Sequence, residues 1–193
     1  MLLLYSVAIG LIVGRLAGGR LDGLTAVRFR FAPLALGGLL FQLVLFSPVA
    51  ADRVGDLGPQ LYVASTVAVL IALLANLRLP GLWILALGAG MNLVAITANG
   101  GWMPSAPDAW MALNGVAEIP THAYTNSAMI TAATAFPALG DIFVFPRPLP
   151  FANVFSLGDM FIAAGAIVFL VLQMRRTRTS QGRGTATMRP TLG

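Results

Sequence analysis

Leu139-GDIFVFPRPLPFANVFSLGDMFIAAGAIVFLVLQ-Met174 decides how this chain is read. Its second half is a long apolar run opened by Ser156-Leu-Gly-Asp159, and its first half carries Asp141, 18 residues before Asp159. A run of about 20 apolar residues is long enough to cross a bilayer as a helix. A carboxylate at the mouth of such a helix is costly to keep there and is retained for a reason. One reason is structural. Ser156 at the N-cap and Asp159 three residues later form a capping-box pattern, and the positive end of the helix dipole favours the aspartate charge. The other reason is chemical. Two carboxylates held close together cannot both ionise easily, so one keeps its proton as an acid while the other acts as a base.

Composition points the same way as that run. The 193 residues are 58% hydrophobic and only 10% charged, against roughly 45–50% and 25% in soluble domains. Five apolar segments predict five spans, near Leu2–Gly14, Phe31–Ala50, Leu61–Leu77, Leu82–Ala98 and Phe155–Met174. The expected fold class is therefore an all-α integral membrane protein with five transmembrane helices. The first segment lacks a basic n-region and a small-residue cleavage site, so it reads as a retained anchor.

All twelve basic residues are arginine. Arg15, Arg20, Arg28, Arg30, Arg78, Arg175, Arg176, Arg178, Arg183 and Arg189 fall on one side of the alternation, and only Arg53 and Arg147 on the other. Asp52, Asp56, Asp108, Glu118, Asp141 and Asp159 fall with the latter pair. The positive-inside tendency then places the amino terminus outside and the carboxyl terminus in the cytoplasm. The expected setting is a bacterial cytoplasmic (inner) membrane. Although the net charge is +5, the arginines flank apolar spans, so anionic lipid head groups rather than nucleic acid are the expected partner, with a second membrane protein as a further one.

Residues 99–154 form an external segment too long to be a bare connection. It opens with Asn99-Gly-Gly-Trp-Met-Pro104, whose turn formers are followed by interface-seeking Trp102 and Trp110. Thr121–Ala138 reads as an interfacial or re-entrant helix, and prolines 146, 148 and 150 as an extended linker. Residues 175–193 read as a disordered basic tail.

The absence of cysteine and lysine excludes disulfides, thiolate chemistry and a lysine Schiff base. His122 stands alone without a second ligand at helical spacing, so no metal and no cofactor is expected. Asp141 and Asp159 are the candidate catalytic pair, with Ser156, Asn99 and Asn126 as supporting or substrate-binding candidates. Asn92 shares a helical face with Asn99, and Gln42 sits inside the second span. Buried amides of this kind more often bond across helix interfaces.

Two resemblances attach to these residues. Asp141-Ile-Phe-Val-Phe, the Pro/aromatic linker and Phe155-Ser-Leu-Gly-Asp159 before a small-residue helix resemble the carboxyl-terminal third of lipoprotein signal peptidases (signal peptidase II). That resemblance implies a membrane aspartyl peptidase with Asp141 and Asp159 as its dyad. Ser156 and Gly158 stand where that family has asparagine and alanine. Over its whole length the chain more closely resembles an uncharacterised family of bacterial multi-pass membrane proteins, through Asn99–Pro104 and Ser156–Asp159. The functional expectation is a membrane-embedded aspartyl-type hydrolase acting at the outer interface on a peptide or lipid-linked substrate. Its alternative is a non-catalytic accessory subunit, ligand binder or carrier.

Overall fold

The computed structural model describes residues 2–115, 126–145, 147, 150 and 152–185. In chain order these form α1 (Leu2–Leu16), α2 (Asp22–Thr25), α3 (Ala32–Leu45), α4 (Pro48–Val54), α5 (Gly58–Leu74), α6 (Leu82–Ala98), β1 (Met103–Ser105), α7 (Pro107–Asn114), β2 (Ser127–Met129), β3 (Asp141–Phe145), β4 (Asn153–Ser156) and α8 (Leu157–Thr185). Proline in the first turn of α3, α4, α5 and α7 starts each helix where a missing N–H costs little.

The all-α expectation is overturned by a four-stranded sheet in the order β2-β1-β3-β4. β1 runs parallel to β2 and to β3, while β3 and β4 are antiparallel and place Phe143 opposite Phe155 with their rings stacked 5.4 Å apart. β-Branched and aromatic residues in Asp141-Ile-Phe-Val-Phe and Asn153-Val-Phe-Ser suit a pleated, half-buried surface.

The five-span expectation is also corrected. Among the described residues only Gly55–Leu74 and Leu157–Arg176 are long and apolar enough to cross a membrane, while α1, α3 and α6 are shorter apolar helices. The 14 residues of α3 rise about 21 Å at 1.5 Å each, short of a core about 30 Å thick. The second expected span breaks because α3 ends at Leu45 and Ser47 then caps α4, its side chain accepting a hydrogen bond from the Ala50 N–H. The orientation deduced from five alternating spans falls with them.

Two smaller expectations change as well. In Thr121–Ala138, the described part holds β2, turns and a 3-10 turn at Pro137–Leu139, with no α-helix. The Thr134 hydroxyl accepts from the Thr131 N–H and the Thr131 hydroxyl from the Ala133 N–H, local bonds that compete with a helix. α8 continues through Thr185, so the first part of the expected disordered tail carries helical backbone. His122 and Glu118 lie outside the described residues.

The apolar helices pack in a row, α3–α5–α6–α8–α1. Glycines set the spacing between them. A Cβ on Gly88 of α6 would overlap the Gly158 carbonyl of α8, and one on Gly81 would lie 2.6 Å from the Gly165 carbonyl. Gln42 of α3 donates to Ser65 and Thr66 of α5 at 3.1 and 3.2 Å. The sheet closes one end of the row. At the other end Asn76 holds the backbone of Arg30 through two hydrogen bonds, and the Arg20 N–H donates to the Met174 carbonyl. Arg15, Arg20, Arg28, Arg30, Arg78, Arg175 and Arg176 therefore gather away from the sheet.

Gly88 and Gly90 make a controlled pair, since nothing lies within 4 Å of a Cβ on Gly90. Gly90→Ala should leave stability unchanged or raise it by up to about 1 kcal/mol through helix propensity. Gly88→Ala should lower it by about 1–3 kcal/mol through overpacking, measured as thermal unfolding in detergent.

Candidate carboxylate site

The sheet runs into α8 without an intervening residue, and that junction builds the site. Ser156 is both the last residue of β4 and the residue before α8. Its hydroxyl accepts from the Asp159 N–H at 3.0 Å, and its own N–H donates to Asp159 Oδ2 at 3.2 Å. These are the reciprocal bonds of a capping box, so the structural reading of Ser156-x-x-Asp159 is realised.

Asn92 of α6 completes the arrangement. Its Nδ2 donates to Asp159 Oδ1 at 2.8 Å, and its Oδ1 accepts from the Ser156 hydroxyl at 2.8 Å. One amide thus fixes both ends of the capping box. Gly158 makes this possible, because a Cβ there would overlap the Asn92 amide.

Asp141 reaches the junction from β3. It is the ladder partner of Ser156 on one side and of Ser105 on the other. Residues in register share a face of the sheet, so Ser105, Asp141 and Ser156 form a buried polar row. Asp141 is 8% exposed, and Ser105 and Ser156 are fully buried. Among the described residues the Ser105 hydroxyl has no hydrogen-bond partner. Burial, followed by the neighbouring charge of Asp159, pushes the Asp141 carboxyl up from 3.8 to about 7. Desolvation and a like charge both disfavour the ionised form.

Two cavities meet at β4. One, of about 270 Å³, is lined by Asp141, Asn126, Ser127, Asn153, Trp110 and Phe46 among others. The other, of about 360 Å³, runs between the helices and is lined by Asp159 and mostly apolar side chains. Asn153 and Val154 line both.

Residues 26–171 match the family of unknown function DUF5317. The chain belongs to this family. Neither the curated proteins nor the solved structures contain a match to it. The DUF5317 match spans every residue of the junction, from Asn92 through Ser105 and Asp141 to Asp159.

The remaining sequence candidates fall in different places. Asn126 shares the smaller cavity with Asp141. Asn99 is a clamp instead: its amide donates to the Ala95 and Ala135 carbonyls and accepts from the Ala135 N–H, tying α6 to the loop before β3. Gly100 and Gly101 both adopt positive φ, and Gly101 packs directly on Pro59, which accounts for the paired glycines after Asn99. Among the described residues no group of acidic, histidine or cysteine side chains is arranged to hold a metal. Ser105 is the residue that sequence reasoning missed. It sits in Met103-Pro-Ser, a three-residue strand without alternation, and carries no chemical motif.

The raised pKa of Asp141 links to stability with a definite sign. Between about pH 4 and 7 the folded chain keeps a proton that the unfolded chain releases. The contribution of Asp141 to stability should therefore be greatest below about pH 4 and fall as pH rises toward 7, by at most about 1.4 kcal/mol per unit. Asp141→Asn should remove that slope and be the more stable form at pH 8, as read from denaturation across pH.

Proposed function

We propose that this protein is a bilayer-embedded hydrolase in which Asp141 is the acid and Asp159 the base. The observation that carries the reading is the unequal treatment of two neighbouring carboxyls. Asp141 is buried and held protonated up to about pH 7, whereas Asp159 is surrounded by donors at a helix amino terminus. Such divergent environments are how one site obtains an acid and a base together. Asp159 takes a proton from water as the water oxygen adds to a carbonyl carbon. Asp141 gives its proton to the departing oxygen or nitrogen as that bond breaks. A proton passed from Asp159 back to Asp141 restores the starting state. Asn92 orients Asp159 throughout. The resemblance to signal peptidase II supports the same assignment.

Membrane insertion is supported by the outer surfaces of the helices. Only 28% and 33% of the two long apolar windows are buried within the protein. Leu36, Leu40, Leu43 and Val44 of α3 and Trp83 and Leu87 of α6 are all exposed. A surface this apolar suits lipid around it. In this reading the two long helices cross the bilayer, and the arginine end contacts anionic head groups. The protein should stay in the pellet after both high-salt and alkaline carbonate washing of membranes; release by salt alone would contradict insertion.

A second reading rests on the capping box. Both Asp159 oxygens already accept hydrogen bonds, which suits a purely structural junction beneath a ligand-binding or carrier cavity. The two readings separate by activity. Protein in lipid nanodiscs should hydrolyse an amide or ester found by screening peptide and lipid-linked substrates. Asp141→Asn and Asp159→Asn should each reduce that rate by at least 100-fold, within the usual range for acid–base catalysis of ~10²–10⁴. The unmodified rate should decline above about pH 7, as Asp141 loses its proton. Retention of the rate in either variant would exclude the pair as the acid and base.

A further inference from the structure

The cavity of about 360 Å³ is walled by all five apolar helices and by the β3–β4 hairpin. Leu2 and Leu3 of α1 and Ala35 and Leu39 of α3 belong to the same wall. Those helices stand at opposite ends of the row, so the row must curl until its ends face each other across the cavity. Its volume falls in the ~300–1,000 Å³ range of small-molecule sites. Leu39, Val69, Leu85, Ala89 and Ile162 give the middle of the cavity an aliphatic surface, while Asn153 and Asp159 stand at its sheet end.

The charge pattern bears on the occupant. Among the described residues no basic side chain lines the cavity, and Asp159 has no cationic side-chain partner. Asn92 and the Ser156 N–H each donate one hydrogen bond to it, and a carboxylate has about four acceptor positions. Two positions therefore remain for a donor arriving along the cavity. A half-buried carboxylate in an apolar wall is best matched by a cation that also donates hydrogen bonds. We propose that this cavity binds a single-chain aliphatic amine, its alkyl chain among the α3, α5, α6 and α8 side chains and its ammonium group on Asp159. Exposed Leu36 and Leu40 beside the α3 wall would give such a molecule a route from the bilayer in the membrane-embedded reading.

The assignment does not depend on hydrolysis, and binding tests it separately. Protein in phosphatidylcholine nanodiscs would be dialysed to equilibrium against radiolabelled dodecylamine, dodecanol or dodecanoate, with empty discs as the background. Dodecylamine should bind saturably at one molecule per chain, and dodecanoate at least tenfold more weakly. Asp159→Asn should reduce the preference for amine over alcohol at least tenfold. Asp141→Asn, which would stop acid–base chemistry, should leave binding intact. Ala89→Phe should abolish binding by filling the cavity; Leu39→Trp, at a partly exposed position, does the same if Ala89→Phe fails to fold. Uptake no greater than in empty discs would overturn the proposal. So would saturable binding indifferent to Asp159→Asn, or binding that survives a folded cavity-filling variant.

Discussion

The hydrogen bonds that tie Asn92 to Ser156 and Asp159 hold α6 to the β4–α8 junction, two parts of the chain more than 60 residues apart in sequence. They fix where β4 stops and α8 starts, and through β4 they fix the register of β3 and then of β1 and β2. They also require α6 and α8 to approach closely, which Gly88 and Gly158 permit. An N-cap contributes about 1 kcal/mol and a hydrogen bond to a charged group about 1.5–3 kcal/mol. Losing Asn92 would cost more than its own bonds, because a buried hydroxyl and a carboxylate would both lose a partner. The same junction determines the electrostatics. By holding Asp159 under the ladder partner of Asp141, it supplies the charge that helps keep Asp141 protonated.

Polarity is distributed along the molecule rather than around it. Most arginines lie toward the end defined by Asn76 and Met174, where Arg20 also pairs with Asp22, Asp141 and Asp159 lie with the sheet at the other end, and the flanks between are apolar. Such a pattern suits a bilayer, where side walls meet acyl chains and both ends meet water.

Much of the helical architecture can be read from the chain, because long apolar runs interrupted by Pro, Gly and Asn leave few alternatives. The capping box at Ser156 is equally legible, since it is local and rests on two residue types at one spacing. The role of Gln42 between helices follows from the same kind of reasoning. The sheet is not legible in this way. Met103-Pro-Ser and Ser127-Ala-Met alternate in no useful sense, and their pairing is parallel and distant, so no turn signal announces it. Asp141–Phe145 and Asn153–Ser156 do carry strand-forming residues. Prolines between them and the apolar helix beyond drew the second segment into a span. Helix length misled for a similar reason: hydropathy runs on across Phe46 and Ser47, where the backbone breaks. Asp141 and Asp159 were visible as residues, but their inequality depends on burial, which a sequence does not display.

The central claim is that Asp141 holds a proton near neutrality because it is buried next to the charge of Asp159. Infrared titration of the carboxylic acid carbonyl band in nanodiscs tests it directly. A band that disappears with a midpoint near pH 7, is absent in Asp141→Asn and shifts to a lower midpoint in Asp159→Asn is the result this account requires. A band lost near pH 4, or one whose midpoint ignores Asp159→Asn, would contradict it.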